Sequence, residues 1–407
     1  MLFRSDTTLV LQWTKNPNLI PLDSRLKFFL DLIFMRNATE NLAGGEPLSE
    51  TALGKDYRAL ILGASYGSLL STKLLMAGHS ATLVCRESTA QVFNSQGSVV
   101  RMPVKEQSAL VEICSKDLPG TLDAVSPENA NPADYDFVVL AMQEPQYSAP
   151  GVRELMMRIA QARVPSVAIT NMPLLPFLRR IPGLETDSLR ACFQEPELWD
   201  AFDPELMTLC SPDPQAFRPP EEKPNILQVR LPTNFKAASF SSEAHSQMLR
   251  DIEAAIDAVR LDTEGAEATE VPVKLRVYDS LYVPFAKWAM LMAGNYRCVQ
   301  AGSIRPIKEA VFSDLQATRS VYEWVVNVCC EMGGDASDFV PFEKYAAAAE
   351  SLLNPSSVAR ALAGGATSIE RVDKLVALVA AQQGKHLAFV DETVRLIEDW
   401  LAGNRAA

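Results

Sequence analysis

The sequence predicts an α/β protein, with an N-terminal Rossmann-like doubly wound parallel sheet followed by an all-helical C-terminal domain. Three observations predict it. Short continuous apolar runs recur between residues 57 and 170, as expected of parallel strands covered on both faces. Helical spacing separates those runs, and the alternation of strand and helix is the pattern of a doubly wound sheet. From about Tyr278 to the end, helical spacing is all that remains.

The elements follow in order. Residues 1–56 carry no strand rhythm and read as an N-terminal extension, with one amphipathic helix over Leu26–Met35 and a linker at Ala43-Gly44-Gly45-Glu46-Pro47. Ala59-Leu60-Ile61-Leu62 is the first strand, and Gly63-Ala64-Ser65-Tyr66-Gly67 follows at once. Leu69, Leu70, Leu74, Leu75 and Met76 then recur at helical spacing, and Gly78 ends the helix. Ala81-Thr82-Leu83-Val84-Cys85 is the second strand, completing the start of a βαβ unit. Asp136–Ala141 and Ser166–Thr170 are further buried strands, joined by a helix from about Gly151 to Ala162. The Pro-rich stretch 172–235 reads as an irregular insertion into the domain at 57–275. Ser241–Leu261 returns to helix, with Leu249, Ile252, Ile256 and Val259 on one face and Ser241 or Ser242 as cap. Residues 276–407 form the helical domain, read as the substrate and dimerisation part, with helices over Tyr282–Ala293, Ser320–Met332, Ile369–Gln382 and Ala388–Leu401.

Composition narrows the function. The 407 residues are 48% hydrophobic and 22% charged, which is globular, and the length favours two domains over one core. Lys plus Arg is 38 against 50 for Asp plus Glu, a net charge of −12. That balance opposes nucleic-acid binding, which needs a surplus of cations against phosphate. The seven cysteines are odd in number and include no CxxC pair, so neither a disulfide framework nor a zinc site is expected, and no metal is assigned. Cys329-Cys330 reads as two small apolar residues on a helix, with a redox pair as the alternative. The N-terminus lacks signal-peptide features, and Lys27–Arg36 is too short and too interrupted by Asp31 to cross a bilayer. The expectation is a cytoplasmic protein acting on a small molecule, away from membranes, with a homodimer open.

The glycine turn carries the chemistry. A turn between a buried strand and a helix puts backbone N–H groups and a helix N-terminus against a pyrophosphate. Gly63, Ser65 and Gly67 are therefore candidate dinucleotide-binding residues, although the turn has fewer glycines and is one residue shorter than GxGxxG. An ordinary ligand-free βα turn is the alternative. At the tip of the second strand, Arg86 with Ser88 suits a 2′-phosphate and hence NADP. An inward-pointing Glu87 would reverse or weaken that preference.

Taken together, these features resemble the ketopantoate reductase (2-dehydropantoate 2-reductase) family over roughly residues 57–402, with a poorly matched middle. The resemblance rests on the turn with Ala77-Gly78-His79 and the strand ending in Arg86. It rests also on Ala168-Ile169-Thr170-Asn171-Met172, where the family has a strand ending in Asn-Gly. Ala286-Lys287-Trp288 through Gly294-Asn295 resembles the family's W-x-K-L-x-x-N-x-x-x-N-P helix. Pro355-Ser356-Ser357 through Thr367-Ser368-Ile369-Glu370 resembles its P-S-M…G-R-x-T-E-I-D segment.

The resemblance implies NADPH-dependent reduction of a 2-oxo acid in an interdomain cleft, with Lys287 as general acid. A Lys on an otherwise apolar helix suits a desolvated proton donor, and a snorkelling surface Lys is the alternative. Asn295 lies eight residues on, roughly 80° around an ideal helix, so both can face one cleft. The resemblance further places Asn171, Asn295 and Ser356 against substrate and Gln146 at the cofactor, while Ser356 after Asn354-Pro355 equally suits a helix cap. Leu291 stands where the family has Asn, Ser368 aligns with its acidic residue with Glu370 two positions later, and Ala141-Met142-Gln143 replaces its cofactor-side Lys. The substrate expected is accordingly a larger or more apolar oxo acid, or an imine, than ketopantoate. The alternatives are a non-catalytic NADP-binding regulator or scaffold, and an opine-type dehydrogenase. That second family uses a His, and His79, His245 and His386 all lie away from the helical motifs.

Overall fold

Apolar alternation along four strands decides the layering. In the computed structural model, which describes residues 55–105, 107–261 and 268–407, the first strand is β1 (Arg58–Leu62). Leu60, Leu62, Val138 and Leu140 enter one core, while Ala59, Ile61, Val139 and Val167 enter the other. A period of two sends successive side chains to opposite faces, and here both faces are buried.

The other strands are β2 (Ser80–Val84), β3 (Val99–Met102), β4 (Val111–Cys114), β5 (Leu122–Val125), β6 (Phe137–Leu140) and β7 (Ser166–Ile169). They continue with β8 (Met207–Ser211), β9 (Gln215–Phe217), β10 (Ile226–Leu231), β11 (Phe235–Ala238), β12 (Arg260–Leu261), β13 (Thr269–Glu270) and β14 (Leu275–Tyr278). The main sheet has eight strands in the order β14-β11-β8-β7-β6-β1-β2-β5. Strands β5 through β8 in that row are mutually parallel, and β11 runs antiparallel to β8. Chain order reverses between β1 and β6, so a crevice opens at their carboxyl ends, where open α/β sheets bind ligands. The smaller sheet, β4-β3-β10-β9, lies alongside.

Two helices follow the first strands, α1 (Tyr66–Met76) and α2 (Glu87–Gln96), and α3 (Val152–Ala162) connects β6 to β7. The short α4 (Leu175–Leu178) and α5 (Pro196–Asp200) precede β8, and α6 (Glu243–Ala258) covers the second core with Leu249, Ile252 and Ile256. Then come α7 (Ala286–Met290), α8 (Ile307–Phe312), α9 (Leu315–Glu331), α10 (Phe342–Ala349), α11 (Ser357–Ala363), α12 (Val372–Gln382) and α13 (Ala388–Ala406). Phe285, Trp288 and Met292 share the first core with Leu60 and Leu140, so the helical part is built directly onto one face of the sheet.

Four expectations need correction. Residues 172–235 are not an irregular insertion: β8 is buried along its whole length and pairs with β7, and β9 and β10 lie in the same stretch. Prolines there bound the strands rather than interrupt them. The sheet runs on to Tyr278, past residue 275, because β14 pairs with β11. The helix expected over Tyr282–Ala293 is a 3-10 turn, α7 and a π turn over Leu291–Asn295 in succession. Ser242 occupies the N-cap position of α6 without a side-chain cap bond, while the Ser246 hydroxyl donates to the Phe240 and Ser242 carbonyls. The expected Leu26–Met35 helix, the linker at 43–47 and the extension they belong to lie outside the described residues, Lys55 and Asp56 excepted.

Candidate functional site

The site begins at the glycine turn between β1 and α1. Gly63 has φ +104°, and a Cβ there would stand 2.6 Å from the Ala141 carbonyl oxygen and 2.6 Å from Met142 Cγ. The turn is thus pressed against the chain leaving β6, at the crevice. Gly67 allows α1 to lie on β1, since a Cβ would meet Ile61 Cγ2 at 2.7 Å. Beyond Gly63, the N–H groups of Ala64, Ser65 and Tyr66 have no hydrogen-bond acceptor among the described residues, and they open an eleven-residue helix. Free amides at a helix N-terminus fit a pyrophosphate. Gly63→Ala is expected to cost several kcal/mol, through the left-handed φ and the backbone clash together. Urea unfolding measures it, and a loss below about 0.5 kcal/mol would contradict this packing.

A segment after β8 crosses this turn. The Tyr66 hydroxyl donates to the Pro214 carbonyl at 3.1 Å, and Arg218 Nη2 donates to the Ala64 carbonyl at 2.8 Å. Burial, with Asp213 and then Glu370 nearby, pushes the Tyr66 phenol up to about 12, so it remains a donor at neutral pH. Arg218 is lowered by burial, offset by the neighbouring Cys85 at the tip of β2.

The same segment reaches Lys287. Asp213 Oδ1 lies 3.2 Å from Lys287 Nζ, close enough for an ion pair but not aligned as a hydrogen bond. Asp213 Oδ2 is 3.7 Å from Lys236 Nζ. Lys287 stands on α7, whose neighbour Trp288 is buried and donates Nε1 to the Asn171 carbonyl at 3.3 Å. The glycine turn, Asn171 and Lys287 therefore converge on the carboxyl ends of β1, β7 and β8. The π turn after α7 rotates each residue less than an α-helix does, which narrows the roughly 80° expected between Lys287 and Asn295.

Two carboxylates complete this end of the sheet. Glu370 Oε1 accepts from Thr170 Oγ1 at 2.7 Å and from the Glu144 amide at 3.3 Å. Burial is the main reason its carboxyl is pushed up to about 7, against the lowering effect of those two donors. Glu144 is buried and also raised, chiefly by desolvation, while accepting from Trp199 Nε1 and the Gln194 amide. Tyr296 donates to the Glu370 carbonyl at 2.8 Å, tying this segment to the helical part.

Other candidates stand differently. Ser356 is buried as the N-cap of α11: its hydroxyl accepts from the Ala359 amide at 3.2 Å and donates to the Asn295 carbonyl at 2.6 Å. Its polar capacity is committed within the protein. Gln146 spends Oε1 on the Gln143 amide at 3.0 Å, capping its own turn. The Asn171 and Asn295 side chains are partly exposed and make no hydrogen bond among the described residues. Arg86 is exposed at the start of α2, without an ion pair among the described residues. Glu87 is exposed too, and its carboxylate accepts from Gln91 one turn on, at 3.4 Å. Asp213, Lys236, Arg218 and Glu144 escaped the sequence reading. Asp213 was the one with a signal, a lone acid between Pro212 and Pro214.

No family model and no curated protein matches the sequence. Solved structures do match. A ketopantoate reductase structure from Ralstonia solanacearum MolK2 aligns with TM-score 0.58 and 14% identity, over 86% of this chain and 99% of that one. A 2-dehydropantoate 2-reductase from Methylococcus capsulatus aligns with TM-score 0.57 and 11% identity, over 85% of this chain and 97% of the other. D-mandelate dehydrogenase, solved with NADH and anilino(oxo)acetate, aligns with TM-score 0.56 and 11% identity, over 86% and 99%. The chain has the two-domain fold of the ketopantoate reductases, as the motifs implied.

Proposed function

We propose that this protein is an NADPH-dependent reductase of a 2-oxo acid other than ketopantoate, with Lys287 as general acid. One observation carries the proposal: the fold delivers a lysine from the helical part to the carboxyl ends of β7 and β8, within one strap of the glycine turn. The like-folded proteins are a ketopantoate reductase and a D-mandelate dehydrogenase, which supports the same reaction class here.

A bound nicotinamide dinucleotide supplies the hydride. The free amides of Ala64, Ser65 and Tyr66 would hold its pyrophosphate, and Arg86 its 2′-phosphate. The Glu87 carboxylate accepts from Gln91 along its own helix, which favours Arg86 over Glu87 as the group that meets the ribose. Lys287 donates a proton to the carbonyl oxygen as negative charge develops there. The free side chain of Asn171, one residue past Thr170, orients the substrate from the sheet side.

NADPH oxidation with branched and aromatic 2-oxo acids tests the reaction. Turnover with none of them, together with a rise in Tm on adding NADPH, would favour the regulatory reading, for which Leu291 and the committed Ser356 speak. Replacing Arg86 by Ser is expected to raise the KM for NADPH about tenfold and to leave that for NADH unchanged. Equal effects on both cofactors would remove Arg86 from the 2′-phosphate site.

A further inference from the structure

Lys236 and Lys287 approach one carboxylate from two different parts of the fold. Lys236 stands on β11 opposite Ser211 of β8, and Lys287 comes from α7. Between them Asp213 divides its oxygens, Oδ1 toward Lys287 at 3.2 Å and Oδ2 toward Lys236 at 3.7 Å. The Asp213, Lys287 and Lys236 side chains are 16%, 21% and 29% exposed, so all three are largely covered yet reachable from solvent. Two ammonium groups around one carboxylate leave one positive charge in excess in this trio. Asp213 is the only ion-pair partner of Lys236 among the described residues. Ser356, the expected partner of a substrate carboxylate, is buried and fully engaged.

We infer that Lys236 anchors the carboxylate of the 2-oxo acid, at the place the Asp213 carboxylate takes in this structure. The inference rests on the reading of Lys287 as general acid and names what positions its substrate. A substrate carboxylate is the same chemical group as the Asp213 side chain and competes for the same ammonium. In a 2-oxo acid the carbonyl is bonded directly to the carboxyl carbon. Holding the carboxylate at Lys236 therefore directs the carbonyl oxygen toward Lys287, on the other side of Asp213. Asp213 then serves as an internal competitor that keeps both ammonium groups paired between turnovers.

The test compares an acid with its uncharged analogue: 3-methyl-2-oxobutanoate and its carboxamide, at saturating NADPH. Lys236→Met is expected to raise KM for the acid about tenfold or more, with kcat and the amide's KM little changed. Lys236→Arg should restore much of the acid's KM, and Asp213→Asn should lower it. If Lys236→Met affects acid and amide alike, or neither, the inference is overturned. Calorimetric Kd for the acid with NADPH present gives a readout without turnover, and equal Kd in wild type and Lys236→Met, or no binding by either, also overturns it. Turnover surviving in Lys287→Ala would instead sink the general-acid reading, while an acid-selective loss in Lys236→Met would still stand.

Discussion

Replacing Lys287 by alanine is expected to lower NADPH-linked turnover of a 2-oxo acid by about 10²–10⁴-fold, the range for loss of a positioned general acid. The KM for NADPH should stay near its wild-type value, because the proposed function assigns Lys287 to the substrate and the glycine turn to the dinucleotide. Stability should change little: a partly exposed ion pair contributes about 1 kcal/mol or less. Steady-state kinetics with a circular-dichroism melt separate these effects. Turnover within a factor of about three of wild type would remove Lys287 from catalysis, since less than 1 kcal/mol of barrier would then be at stake.

Lys73→Met is expected to stabilise the fold at neutral pH. Lys73 lies on α1 and is buried in the second core, with Nζ 3.3 Å from Met102 Sδ. No carboxylate accompanies it among the described residues. Burial first, and the Lys274 ammonium second, lower its pKa from 10.5 to about 7. The sign follows from linkage. Between pH 7 and 10.5 the unfolded chain holds a proton on this amine that the folded chain does not. Stability therefore rises with pH through that window, and the penalty is complete once pH falls below about 7. The penalty is on the order of a few kcal/mol at neutral pH. The methionine variant should melt several degrees higher at pH 7 and lose the rise in stability between pH 7 and 10. Equal melting temperatures for both proteins across that range would refute a buried amine.

Strand and helix assignments in the first half were legible because local patterns carry them. Ala59–Leu62 and Phe137–Leu140 read as buried strands, since every residue in each is apolar, the runs are short and a turn follows. The stretch 172–235 was misread for the same local reason. Its prolines are frequent enough to suggest irregular chain, yet they sit outside β8, whose place depends on pairing with the distant β7. A strand of Met207-Thr208-Leu209-Cys210-Ser211 gains its stability from neighbours, which periodicity does not report.

The site divides along the same line. Gly63, Gly67 and Arg86 were legible as candidates through residue type and spacing, and Lys287 through the resemblance of its helix to a family motif. A turn pressed against a strand needs glycine, and a lone cation on an apolar helix stands out by its charge. Ser356 fitted two roles in sequence, and the structure commits its hydroxyl to a cap and the Asn295 carbonyl. Glu370 aligned poorly, yet the fold seats its carboxyl on Thr170, two hundred residues away in the chain.

By itself the sequence determined the class of fold and the glycine turn, features set by interactions within a few residues, while the lysine stood out through its resemblance to a family motif. The tertiary structure alone decided what surrounds that lysine. Asp213 meets it from a loop after β8, 74 residues away along the chain, and Lys236 approaches that same carboxylate from a strand antiparallel to β8, 51 residues from Lys287. Charge pairing acts through space over a few ångströms, so partners that chain folding brings together leave no mark on local spacing.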